Sequence, residues 1–371
     1  MHIQFTGSCS VIIKSLSIVF AVIIISIILF SCASSPAEKI KKLSVDDTLS
    51  YTLKDKDDGM ITLAEYNNGN WEIKVYGKNG QQLKTEDNQN YVYEIGSLTK
   101  TITASLICKA QKEGYLNLND RIDRFLDLPA KTPEQYPTIQ ELLTHSSGYK
   151  SFYFEKGMRE NYFAKRNSFY GITKEQMLNR LPKIHRKKSR SFVYSNFGYA
   201  TLGLILESVY KTSYTTLAND FVHNDLGMTH TFMAGSDSFP YPRDKRFMDW
   251  KKDDAYLSAG GFYSTIEDMI IYADHQLNEN GIFSDCHKIL SEIKNGNKSL
   301  EKFEIGMNKI CYAWLFDEKN TCFWHNGGTN NYNCYLGFDV KNQKAAIVLS
   351  NLEPSYKIPA TIVGPKILAS R

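Results

Sequence analysis

Strand-forming runs lie at the two ends of this chain, and the stretch between them has a helical period. Such a layout excludes any fold that completes its sheet within one contiguous stretch. Near the N-terminal end, MITLAEY (60–66) and NWEIKVY (70–76) flank Asn67-Asn68-Gly69-Asn70, a hairpin signal. Past residue 305 four runs follow in series, ICYAWLF, CFWHNGG, NCYLGFD and AAIVLSN, each bounded by turn residues. After Ser97 the period becomes helical: Leu98, Ile102, Leu106 and Ala110 recur every four residues and Gly114 follows, predicting a buried helix over 97–113. Thr138-Ile139-Gln140-Glu141 has capping-box spacing with Gly148 as a stop, and Ser264-Thr265-Ile266-Glu267 reads as a second start running to Gly281. The expected fold is α/β (α+β): one antiparallel sheet assembled from both termini and flanked by helices, with an all-helical region inserted at about 138–280 and a cleft between. No internal repeat is visible.

Charge narrows the partners. Lys and Arg total 44 against 40 Asp and Glu in 371 residues, a net +4 that is too weak an imbalance for a nucleic-acid surface. Zinc-finger spacing, a glycine-rich phosphate loop and a long basic face are all missing from the sequence. Of seven cysteines, Cys9 and Cys32 lie in the leader, and the remaining five fall at irregular spacing. That pattern is neither a disulfide framework nor a zinc site, so no structural metal is expected.

Residues 11–30 are apolar enough to enter a membrane, with Lys14 as the positive flank. Leu29-Phe30-Ser31-Cys32 closes the run and resembles a bacterial lipobox, which makes 1–31 a lipoprotein signal peptide and Cys32 the lipidated N-terminus. An uncleaved transmembrane anchor is the other reading. Ala33 in place of Asp lacks, by resemblance to lipoprotein sorting, the inner-membrane retention signal. The expected location is the cell envelope of a Gram-negative bacterium, at the outer membrane. Residues 32–57 are polar and read as a tether, leaving 58–365 as the folded domain.

The chemistry starts at Ser97. Four Ser-x-x-Lys matches occur, at Ser97, Ser147, Ser291 and Ser299, but only the first opens an apolar-periodic helix just after a strand run. Residues three apart share a helix face, so the Lys100 amine can reach the Ser97 hydroxyl and help remove its proton. A helix N-terminus adds N–H groups that stabilise developing negative charge.

The text around it, EIGSLTKTITASLICKAQKEGYLNLNDRIDRFL, resembles the active-site helix of the serine β-lactamase and penicillin-binding-protein superfamily, closest to its class C β-lactamase, D-aminopeptidase and esterase branch. Further family-like stretches follow in order: TIQELLTHSSGY (138–149), FVYSNFGYATLGLILESVY (192–210), LGMTHT (226–231), AGGFYSTIEDM (259–269) and WHNGGTNNYNCYLGFD (324–339). The resemblance spans roughly residues 58–352. It implies that Tyr194, in Tyr194-Ser195-Asn196, accepts the Ser97 proton and later activates the deacylating water or alcohol, helped by a nearby Lys100 ammonium. It also implies that Asn196 hydrogen-bonds Lys100 and the substrate's acyl side. His325-Asn326-Gly327 stands where the family carries Lys-Thr-Gly or His-x-Gly, with Gly328 N–H and Ser97 N–H as the oxyanion hole. His325 in place of lysine weakens the grip on a substrate carboxylate. Three other features read as structural. His145 in LLTHSSG packs a helix end, the basic run at 183–190 is a solvated loop with a substrate-anion role as the alternative, and the aromatics at 149–170 are core with a part as cleft wall.

The expected activity is that of a serine hydrolase forming an acyl-enzyme on an ester, amide or peptide, without cofactor. The alternatives are an acyltransferase using the same intermediate, a true β-lactamase or D,D-carboxypeptidase, and a silent muropeptide-binding protein.

Overall fold

A computed structural model describes residues 34–88, 90–130, 135–187, 189–237, 239–241 and 245–369. The leader and Cys32 lie outside the described residues. Among the described residues no helix is long and apolar enough to cross a membrane.

The strands are β1 (Ile61–Asn67), β2 (Asn70–Tyr76), β3 (Gln82–Leu83), β4 (Tyr93–Glu94), β5 (Phe232–Met233), β6 (Phe262–Ser264), β7 (Ser291–Glu292), β8 (Lys309–Ile310), β9 (Leu315–Asp317), β10 (Cys322–Gly328), β11 (Asn333–Asp339) and β12 (Lys344–Ser350). Nine form one sheet in the order β3-β2-β1-β12-β11-β10-β9-β8-β7, and every pair is antiparallel. The two ends of the chain meet where β1 pairs with β12, with Leu63 opposite Val348. The sheet built from both termini is therefore present, and the region inserted between its halves is mostly helical. Asn68 and Gly69 both have positive φ (52° and 86°), the two-residue turn that the β1–β2 hairpin requires.

The sheet is covered on both faces. Cys334, Leu336 and Phe338 of β11 join one core with the Thr99–Lys112 and Ile266–Leu277 helices, while Tyr335 points to a second core with the Ala360–Ala369 helix. A three-stranded sheet, β4-β6-β5, leads directly into Ser97.

Four expectations change. The 32–57 tether is in its described part helical. Val45–Leu53 forms a helix capped by Ser44, and Val45, Leu49 and Leu53, spaced four apart, make a stripe that packs into the second core, with Leu49 and Leu53 fully buried. The run ICYAWLF is a tight hairpin, because Ala313 takes φ +68° and Cys311 N–H donates to Trp314 O at 2.9 Å. The second helix start is one residue late: Thr265, not Ser264, is the cap and accepts from Asp268 N–H, while Ser264 ends β6. The helix begun at Thr138 has its capping box but stops at Leu143, with His145 rather than Gly148 turning the chain.

Candidate active site

Ser97 lies in a single 3₁₀ turn, Gly96–Leu98, that precedes the Thr99–Lys112 helix. The turn is pressed against β10. Gly96 has φ +49°, and a Cβ there would meet Gly328 N at 2.7 Å. A Cβ on Gly327 would meet Ile95 O at 1.9 Å, so only glycine admits this approach. Sequence constrains the nucleophile from below as well: Leu98, Ile102, Leu106 and Ala110 are fully buried, and Gly114 ends the helix at φ +81°.

Lys100 Nζ lies 3.0 Å from Ser97 Oγ and 2.5 Å from Ala259 O, which accepts from it. Lys100 is completely buried, and burial holds its amine well below the usual lysine range. Tyr194 comes from the loop before the Asn196–Tyr210 helix; its ring lies 4.9 Å from Lys100 Nζ, and its phenol hydrogen-bonds with Ser97. Burial pushes the phenol up, and the Ser97 hydrogen bond opposes this only in part. Desolvation disfavours both the expected ammonium and a phenolate, and among the described residues no carboxylate pairs with Lys100. Of the other three Ser-x-x-Lys matches, none puts the lysine amine on the serine hydroxyl among the described hydrogen bonds.

Asn196 lines the same cavity, yet among the described residues it makes no hydrogen bond with Lys100; the Ala259 carbonyl takes that place. On β10, side chains alternate. His325 is buried on the Lys100 and Tyr194 side, its ring 6.4 Å from that of Tyr194. His325 Nδ1 donates to Asn326 O at 2.7 Å, which leaves Nε2 unprotonated. Burial first, and Lys100 second, push the ring down to about 3, so it is neutral. The Asn326 side chain turns to the opposite face, where its amide donates to Thr361 Oγ1 at 3.0 Å. Asn326 and Thr361 both line the cavity that holds Ser97. Thr329 N–H donates across to Tyr332 O, so by strand alternation Gly328 N–H faces away from β11, on the edge that β9 leaves free beyond Trp324. Ser97 and Gly328 line one cavity.

That cavity holds about 430 Å³. Tyr162, Phe169, Trp250 and Tyr256 form one wall, and Leu300, Phe303 and Ile362 the other. Of the aromatics at 149–170, Tyr162 and Phe169 reach it, Tyr149 and Tyr153 pack on Phe197, and Phe154 and Phe163 are exposed. Within the basic run, Arg186 and Arg190 both pair with Glu141, and Arg186 also donates to Ser147 O. Sequence reading missed Glu94, three residues before the nucleophile. Its buried carboxylate accepts from Met248 N–H at 2.6 Å and Thr329 Oγ1 at 2.7 Å, tying β4 to the cavity wall, and burial pushes it up to about 7. The signal was an acidic residue within a strand run, which exposure at a sheet edge explains equally well. All five described cysteines are buried free thiols, and no cluster of three or more His, Cys, Asp or Glu among the described residues is placed to hold a metal ion.

Comparison with known proteins bears on the fold and the family. The β-lactamase family pattern matches residues 47–361. Protein flp of Staphylococcus aureus (strain COL) is 27% identical over 300 residues, covering 76% of this chain and 57% of that protein, so the chain spans less than two thirds of this relative. The octameric penicillin-binding protein homologue from Pyrococcus abyssi superposes with a TM-score of 0.67 at 20% identity, over 90% of this chain and 77% of that one. The β-lactamase/D-alanine carboxypeptidase from Yersinia pestis, complexed with citrate, gives a TM-score of 0.68 at 16% identity, over 90% of this chain and 99% of that one. The fold is thus of the β-lactamase/DD-peptidase type, and with the family pattern covering most of its length, this chain belongs to the β-lactamase family.

Proposed function

We propose that the protein is a serine hydrolase that opens a neutral ester or amide through an acyl-enzyme on Ser97. The convergence of the Lys100 amine and the Tyr194 phenol on one hydroxyl carries this reading. Ser97 Oγ attacks the substrate carbonyl as its proton passes to the lone pair of Lys100 Nζ. Tyr194 O–H then donates to the leaving group and is reprotonated from Lys100, so the pair ends as it began. Ser97 N–H and Gly328 N–H stabilise the tetrahedral oxyanion. Water repeats the sequence on the acyl-enzyme and frees the acid.

Two features support neutral substrates. The His325 ring is uncharged where an ammonium would grip a carboxylate, and the Asn326 amide is engaged by Thr361. A charge-assisted hydrogen bond is worth about 1.5–3 kcal/mol, so its loss lowers affinity for penicillins and D-Ala-D-Ala ends by roughly ten- to a hundredfold. Purified protein should turn over p-nitrophenyl butyrate and hydrolyse nitrocefin slowly or not at all, with both activities absent in Ser97→Ala. Nitrocefin turnover matching that of a dedicated β-lactamase would replace this reading with the lactamase one. The location we propose is the cell envelope, supported by the apolar run at 11–30 and the lipobox-like Leu29-Phe30-Ser31-Cys32.

A further inference from the structure

We propose that His145 is a positioning residue for Tyr194, holding the phenol on Ser97 through the backbone of both its neighbours and through its own ring. The inference rests on the reading of Tyr194 as the proton-transfer group.

The sequence offers His145 as a helix-end packing residue, and it does end a helix. Its N–H donates to Leu142 O at 3.2 Å and Ser146 N–H donates to Glu141 O at 2.9 Å, with His145 itself at φ +55°. This is a Schellman close with histidine where glycine is the ordinary choice. The side chain then reaches the loop that carries Tyr194. His145 O accepts from Val193 N–H at 2.8 Å, and His145 Nδ1 accepts from Ser195 N–H at 3.1 Å. One residue thus holds the N–H of both neighbours of Tyr194. The imidazole also packs against the Tyr194 ring, centroids 4.5 Å apart, and against Tyr199 at 5.0 Å.

Two costs distinguish this from plain packing. A non-glycine residue in the left-handed region is strained. In addition Nδ1 is an acceptor, so the proton is on Nε2, which is buried and has no hydrogen-bond partner among the described residues. Glycine would relieve the first and phenylalanine the second. Only an acceptor at the Nδ1 position holds Ser195 N–H, and only a ring at that place supports the phenol.

The test is a double-mutant cycle with two substitutions, read as kcat and KM on p-nitrophenyl butyrate. His145→Phe keeps a ring and loses the acceptor; His145→Asn keeps an acceptor at the same distance from Cα and tolerates positive φ. His145→Phe should lower kcat by about 10²-fold at nearly constant KM, the scale of a small misplacement of a reacting group. His145→Asn, the conservative rescue, should recover it to within about tenfold. In a Tyr194→Phe background neither should change kcat by more than about twofold, because the lost effect acts through the phenol. Losses that add to that of Tyr194→Phe, or wild-type kcat in His145→Phe, would overturn the proposal. A Tyr194→Phe protein with wild-type kcat would instead overturn the role of Tyr194, a result distinct from either.

Discussion

Burial without a compensating charge governs the residues around Ser97. Lys100 is wholly enclosed, and among the described residues its hydrogen-bond partners are a hydroxyl and a carbonyl, so burial favours the neutral amine. The base form exists above its lowered pKa, and acylation therefore rises with pH through that value and levels off well below the usual lysine range near 10.5. Stopped-flow acylation by an activated ester should show that early plateau; an acid limb near 10.5 would mean the amine is charged at rest. Glu94 is the opposite case. It titrates near 4.5 when exposed and near about 7 in the fold, so the folded state binds its proton more tightly. The stability this contributes is fully present below about pH 4.5 and is lost as pH rises through about 7. Glu94→Gln should gain on the order of 3 kcal/mol relative to wild type between acid and mildly alkaline pH, since each pKa unit is about 1.4 kcal/mol. Urea unfolding at both ends of that range measures it, and two parallel curves would show that Glu94 titrates normally.

At the scale of elements, the nucleophile turn and β10 are one unit because two backbones touch. Gly327→Ala places a Cβ 1.9 Å from Ile95 O and 3.3 Å from Ser97 N, so the turn must move. Acylation should fall by about 10²-fold or more while far-UV circular dichroism stays that of the wild type; an unchanged rate would separate the turn from the strand. The elements that were legible in the sequence share a local chemical signature. Asn68-Gly69 supplies two positive-φ residues, Thr138 and Glu141 supply both halves of a capping box, and Leu98 to Ala110 supply one buried stripe. What stayed hidden depends on distant partners. Ala313 and His145 take positive φ without being Gly or Asn, because hydrogen bonds to Trp314, Leu142 and Glu141 hold them there. The Ala259 carbonyl on Lys100 is a backbone atom 159 residues away, invisible to any reading of side-chain types. Spacing brought Ser97 to Lys100, whereas Tyr194 and His325 had to be placed by family resemblance.

The whole molecule closes its second core with the stretch just before β1. Leu49 and Leu53 are fully buried there with Val363 and Ile367 of the last helix, so the domain extends past both expected boundaries. Leu49→Ala should cost about 2–5 kcal/mol; a melting temperature equal to wild type would restore the view of this segment as a tether. Upstream of it, Cys32→Ser should abolish fatty-acid labelling and leave a larger precursor, and wild-type protein that takes up no fatty acid would contradict the proposed lipoprotein anchor. The central claim is that one hydroxyl, Ser97, is made nucleophilic by Lys100 and Tyr194. The direct measurement is intact-mass spectrometry after exposure to a fluorophosphonate, with the modified peptide sequenced. The account predicts a single adduct on Ser97, none in Ser97→Ala, and labelling slowed by about 10²–10⁴-fold in Lys100→Ala. Undiminished labelling of Ser97→Ala, or an adduct mapped to any other serine, would contradict it.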